Sequence, residues 1–222
     1  GAETATWLLS LLKHDATRVG DGLEALLGGR RHVQPILFLP YLQGERVPYW
    51  DTNLRGAFIG LHREHTATDL AWAVLEGIAF LNRIVLERAE AALGSSVSEI
   101  RFGGGGAANA AWCQIKADIC GRPVLVGASR EPGTLGAAIV AWTALGRFSS
   151  LQQAQEQLVR VVARYEPNRT RSAAYGRMFE LFRRSEAALG DDGGPVALHG
   201  LFRLRHGLLR REQHPDGRRR LA

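Results

Sequence analysis

The sequence predicts an α/β fold. Three observations carry that expectation: a strand that runs straight into Gly103-Gly104-Gly105-Gly106 and then a helix, a second strand-and-helix pair behind it, and one long amphipathic helix ahead of it. Strands alternating with helices in this order build a sheet covered by helices. Composition agrees. The chain has 222 residues, 45% of them hydrophobic and 8% aromatic, enough to bury a core in one domain of ordinary size.

Taken in order, residues 2–13 read as a helix through Trp7-Leu8-Leu9 and Leu11-Leu12, and residues 20–29 as a short helix or loop. Pro35 and Pro40 bound Ile36-Leu37-Phe38-Leu39, a short strand. Gln43 to Arg55 is loop-like, and Ala57 to Leu61 is a second apolar run. Thr66 opens the long helix, with Asp69 at the fourth position of a capping box. Leu70, Ala73, Val74, Gly77, Phe80, Leu81, Ile84 and Val85 then recur at three- and four-residue steps, one apolar stripe. Val97 to Phe102 is a strand, and Ala107 to Cys120 a helix ended by Gly121. Pro123 to Val126 is a further strand. Pro132 starts a helix through Ala144, a favoured first-turn position. Two more helices are expected near 150–163 and 170–188.

Charge and boundaries limit the function classes. The net charge is +6, but seven arginines against four acids in residues 191–222 account for half of it. Over the first 190 residues acids and bases are interspersed, so a nucleic-acid groove is not expected. Gly190-Asp191-Asp192-Gly193-Gly194-Pro195 reads as a linker, dividing a lobe over 1–190 from a flexible basic tail over 191–222. Cys113 and Cys120, seven residues apart on one helix, stand roughly 10 Å apart, too far for a disulfide. Two unpaired thiols suit a reducing, cytoplasmic setting. No apolar run approaches the roughly 20 residues that span a bilayer. The chain opens directly into a helix with no initiator Met, which is expected of a piece of a longer protein.

Three places carry candidate chemistry. The tetraglycine opens a helix, where glycine lets backbone approach a ligand and a helix N-terminus offers amide groups. It also fits the letters G-x-G-x-x-A, but Asp118 and Glu131 are poorly placed to serve as a dinucleotide site's acid, and no P-loop sequence occurs. Gly44-Glu45-Arg46-Val47-Pro48-Tyr49-Trp50-Asp51 reads as a site or as a packing clasp, with the clasp favoured. Glu131-Pro132-Gly133-Thr134-Leu135-Gly136-Ala137-Ala138 reads mostly as a small-residue packing face.

The series as a whole is more specific than its parts. Tyr41-Leu42-Gln43-Gly44-Glu45-Arg46-x-Pro48, Arg55-Gly56-x-x-x-Gly60-Leu61, Leu75-Glu76-Gly77-x-Ala79-Phe80, Gly104-Gly105-Gly106-Ala107, Gln114-x-x-Ala117-Asp118 with Gly121-x-Pro123, and Glu131 with Leu135-Gly136-Ala137-Ala138 closely resemble the C-terminal half of the FGGY carbohydrate kinases. The resemblance covers about residues 1–188. It implies the C-terminal lobe of an actin-like, ribonuclease-H-like ATPase, a mixed sheet flanked by helices. It implies transfer of the γ-phosphoryl of ATP, with Mg²⁺, to a sugar or polyol hydroxyl, xylulose being preferred and gluconate the alternative. By position, Gly104, Gly105 and Gly106 would meet the nucleotide through backbone and Asn109 through its side chain, and Gly1-Ala2 resembles an element near the phosphates. The catalytic base and the metal-holding acid belong to the missing N-terminal lobe, so Asp15, Asp51, Asp69 and Asp118 receive no such role. No nucleic-acid or membrane partner is expected, and a homodimer is the candidate assembly. A non-catalytic actin-like nucleotide-binding module and a dinucleotide-binding oxidoreductase domain are the competing readings.

Overall fold

The computed structural model describes residues 2–14, 19–45, 47–52 and 54–190. Expectations for Gly1, Asp15, Arg46 and residues 191–222 therefore lie outside the described residues.

Two small sheets organise the chain. The first is an antiparallel pair, β1 (Leu37–Leu39) with β2 (Ala57–Ile59), in which Phe38 stands opposite Phe58. It lies against the long helix α3 (Ala67–Leu93), and Gly77 is the reason the two can touch. A Cβ at residue 77 would stand 2.2 Å from the Phe38 carbonyl oxygen, so only a glycine admits the strand this close. Helices α1 (Ala2–Leu11) and α2 (Val19–Leu27) pack on the same core through Leu8, Leu9 and Leu23, and Phe179 and Phe182 of α7 (Arg169–Gly190) close it.

The second sheet has the order β3-β4-β5 and is mixed. Strand β3 (Ile100–Phe102) runs parallel to β4 (Val124–Gly127), and β4 is antiparallel to β5 (Val161–Tyr165). Helix α4 (Ala110–Cys120) presents Cys113 and Ala117 to Val124 and Val126. Helices α5 (Pro132–Ala144) and α6 (Leu151–Leu158) stand between β4 and β5 in the chain. The α/β expectation and the mixed sheet flanked by helices are thus the observed architecture.

Local signals placed most elements well. Asp69 accepts the Thr66 amide at 2.8 Å, as a capping box requires, and Gly121 takes φ +62 at the end of α4. Cys113 and Cys120 are both free and buried, and burial pushes each thiol up to about 11. Three expectations are corrected. The helix near 150–163 ends at Leu158, and Val161–Tyr165 is a strand, because Val161 and Val162 stiffen the backbone toward extension and β4 offers an edge to pair with. The helix expected from Ala107 begins at Ala110, after a 3₁₀ turn over Gly105–Ala108. The small-residue face of α5 is not packed among the described residues: Ile139 is the one buried residue of that helix, and a Cβ at Gly136 would meet nothing within 4 Å.

Candidate functional site

The glycine turn is four positions with four different surroundings. A Cβ on Gly103 would come within 3.0 Å of the Pro132 ring, so this residue seats the turn against α5. Gly104 has φ +84, a conformation that side chains with a Cβ rarely adopt. It caps the 3₁₀ turn, its carbonyl accepting the Ala107 amide at 3.0 Å. Gly105 is exposed, and a Cβ there would point into open space with nothing within 4 Å. Gly106 is buried, and a Cβ would lie 2.4 Å from the Trp112 ring. Gly104 and Gly105 therefore present bare backbone outward, while Gly106 serves the core.

Asn109 is engaged by the fold. Its side chain is buried, Oδ1 accepts the Trp112 amide at 2.9 Å as the N-cap of α4, and Nδ2 donates to the Gly20 carbonyl at 3.3 Å. The second bond ties α2 to the turn, and the fit is close. A Cβ on Gly20 would sit 3.2 Å from the Ala108 Cβ and 3.5 Å from the Gly105 oxygen. Sequence reading gave Asn109 a place on the first helical turn; the structure places it one step earlier, as the cap. The Ala107, Asn109 and Trp112 amides are already bonded within the protein.

Beside the turn, a cavity of about 630 Å³ opens between the β3-β4-β5 sheet and helices α5 and α6. Phe102, Gly103, Leu125, Leu135, Gly136 and Ile139 give it a largely apolar wall. This volume falls in the range of small-molecule pockets. One turn along α4, the buried Lys116 donates to Asn82 Oδ1 and lies 4.7 Å from the Phe102 ring centroid. Burial lowers it to about 8. It serves the α3–α4 interface.

The buried acids are structural. Glu45 is buried and its carboxylate accepts the Tyr49 amide at 3.1 Å, while its own amide donates to the Asp51 carbonyl at 2.6 Å. Tyr41 and Tyr49 both donate to Glu186 of α7, which burial raises to about 7. Glu45, Tyr49 and Asp51 thus act as a clasp onto the last helix, with Arg88 stacked over Tyr49 at 4.7 Å. Glu76 takes a two-pronged ion pair from Arg31, 2.7 and 2.8 Å, and a third bond from Tyr175 at 2.7 Å. Burial pushes its carboxyl up against the pull of the guanidinium. Asp118 accepts from Gln114 at 2.9 Å, from the Asn168 amide at 2.7 Å and from Arg171 at 2.5 Å. With its side chain only 2% exposed and three donors already on it, Asp118 is out of reach of the ribose hydroxyl that a dinucleotide site would require it to bind. Arg31, Tyr175 and Glu186 were not visible in the sequence, since each pairs across 45 residues or more.

Residues 3–145 match the FGGY family of carbohydrate kinases, C-terminal domain. The chain belongs to that family. It is 34% identical over 163 residues to a xylulose kinase of Bacillus subtilis, covering 73% of this chain and 32% of the relative. It is 35% identical over 168 residues to a glycerol kinase of Dechloromonas aromatica, covering 76% of this chain and 33% of the relative. Among solved structures, a ligand-bound xylulose kinase from Lactobacillus acidophilus superposes with a TM-score of 0.71 at 28% identity, over 88% of this chain and 39% of that one. The fold is accordingly that of the actin-like sugar kinases' C-terminal lobe. The chain spans about a third of the length of the curated relatives it matches.

Proposed function

We propose that this chain is the nucleotide-binding lobe of an ATP-dependent sugar kinase, which transfers the γ-phosphoryl group of ATP to a hydroxyl of a small sugar, with the pentulose xylulose as the preferred acceptor. The carrying observation is the outward face of Gly104 and Gly105, where the backbone is bare, the space above Gly105 is open and α2 stands alongside. Such a face admits a flat or extended ligand to within backbone distance. Gly104, Gly105 and, behind them, the Asn109 tether are the proposed nucleotide residues; Gly106 acts by seating the turn on Trp112.

ATP supplies the transferable phosphoryl group. Phosphoryl transfer depends on positioning and charge stabilisation, and the residues here supply the positioning of the nucleoside end. Gly104, Gly105 and Asn109 carry no carboxylate, the group by which a protein usually holds Mg²⁺ beside phosphates, so the metal is not assigned to them. Among the described residues, the group of three candidate ligands close enough to share a cation is His32, His62 and Glu64, two of them imidazoles. The xylulose preference is supported by the B. subtilis and L. acidophilus likenesses; gluconate and glycerol are the competing acceptors. A non-catalytic actin-like module remains the reading from a different class.

The test is an ADP-release assay on the full-length parent with xylulose, gluconate and glycerol in turn. Turnover highest on xylulose is expected. Turnover on gluconate or glycerol alone would reassign the acceptor, and ATP binding with no turnover on any of the three would favour the non-catalytic module.

A further inference from the structure

Two loops that are distant in sequence bring three histidines and a glutamate together. His32 lies between α2 and β1; His62, Glu64 and His65 lie between β2 and α3. The His32 and His65 rings meet edge to face with centroids 4.8 Å apart, and His32 and His62 stack at 6.0 Å. Glu64 Oε2 stands 3.5 Å from His32 Nε2 and 3.8 Å from His62 Nδ1. One ligand atom from each of His32, His62 and Glu64 lies within 4.8 Å of the others.

We propose that His32, His62 and Glu64 bind a divalent transition-metal ion of the Zn²⁺ type, which staples the loop after α2 to the loop after β2. Bonds of about 2.1 Å in a tetrahedron set ligand atoms roughly 3.4 Å apart. The observed 3.5 and 3.8 Å separations already approach that spacing, and the exposed Glu64 and His62 side chains can close the rest by rotation. Two imidazoles and one carboxylate suit Zn²⁺ and its neighbours, not Mg²⁺ or Ca²⁺. Three protein ligands leave the fourth position to water.

The frame around these ligands is built. The His32 amide donates to Asp69 Oδ1 at 2.7 Å, so the carboxylate that caps α3 also anchors the first loop. His65 is used at both ring nitrogens: Nδ1 accepts the His62 amide at 2.7 Å, and Nε2 donates to the Gln34 carbonyl at 2.8 Å. It is a strut between the loops. The cost falls on His32, whose Nδ1 accepts the Gln34 amide at 3.2 Å and whose ring proton is therefore on Nε2. Metal at Nε2 moves that proton to Nδ1 and gives up this one long, exposed bond. The site is independent of the phosphoryl-transfer reading.

The experiment is calorimetric titration of ZnCl₂ into the metal-free full chain, in a buffer that does not chelate, alongside melting curves with and without Zn²⁺. Because His199, His206 and His214 also offer imidazoles, the decision rests on variants. His62→Ala is expected to weaken Zn²⁺ binding about tenfold or more and to abolish the rise in melting temperature. Glu64→Gln, at a side chain 57% exposed, should do the same to a smaller degree and covers the case in which His62→Ala fails to fold. Replacing His199, His206 and His214 together by Ala should change neither measurement. Undiminished Zn²⁺ binding by His62→Ala and Glu64→Gln, loss of binding in the triple variant, or an equal melting shift with MgCl₂ would each overturn the proposal.

Discussion

At the scale of single residues, the four glycines separate ligand approach from folding. At residue 105 an added Cβ meets no protein atom within 4 Å and no positive φ is required, so Gly105→Val should melt close to the natural chain. In the full-length parent the same side chain stands where the nucleotide is proposed to lie, and calorimetry should show ATP affinity reduced by about tenfold or more, or roughly 1.4 kcal/mol. Normal ATP binding by a folded Gly105→Val protein would reduce the tetraglycine to a turn. Gly106→Ala should do the opposite, lowering the melting temperature because its Cβ collides with the Trp112 ring. Asn109→Ala loses the α4 cap and the Gly20 bond together, about 1–2 kcal/mol of stability, and any effect on ATP follows from the loosened α2. A fourth case concerns an ion pair with one member in the core. Arg31→Met strands the buried Glu76 with Tyr175 as its remaining partner and should cost about 3 kcal/mol in urea unfolding, moderated because the Arg31 side chain is 29% exposed. The glycines were legible because they are consecutive. The Arg31–Glu76–Tyr175 triad was not, because its members are joined by the fold and not by spacing.

At the scale of elements, legibility followed the range of the interactions. Helix α3 could be read from Thr66, Asp69 and its stripe because a cap and a period of 3.6 are local matters. Its middle is buried on more sides than a stripe implies, Ala71 and Leu75 included, since β1, α4 and α2 all pack on it. Strand β5 was hidden, because only pairing with β4 tells its short valine run from a helix end. The α3–α4 interface also carries a measurable signature in Lys116. Burial holds this amine at about 8, below the 10.5 of an exposed lysine. Between these values the unfolded chain binds more protons than the folded one, so this residue's contribution to stability rises with pH across that window. Below about 8 the cost of burying the charge is fully present. Lys116→Met removes the titration, and the variant's stability advantage over the natural chain should shrink by roughly 2–3 kcal/mol from neutral pH to about 10.5. Denaturant midpoints for both proteins across that range are the check; parallel curves would mean that Lys116 keeps an ordinary pKa.

At the scale of the whole molecule, the acids decide what this chain can do without a partner lobe. A phosphoryl-transfer site needs a carboxylate able to take the acceptor hydroxyl's proton. The buried acids are each held already: Glu45 by the Tyr49 amide, Asp69 by Thr66 and His32, Glu76 by Arg31 and Tyr175, Asp118 by Arg171 and the Asn168 amide, and Glu186 by two tyrosines. Freeing any of them to act as a base would break a tie between elements. What the fold supplies is a glycine turn with an open outer face at the end of the mixed sheet, and the relatives that carry this lobe are about three times as long. The 222-residue chain by itself is therefore expected to release no ADP above background with xylulose, gluconate or glycerol, even at saturating ATP. A coupled assay on the chain alone, run beside the parent protein, decides it. Robust turnover by the chain alone would mean that a carboxylate of this chain does act as the base, whether one of these five or one of the exposed acids, and substitution of each acid by its amide would then locate it.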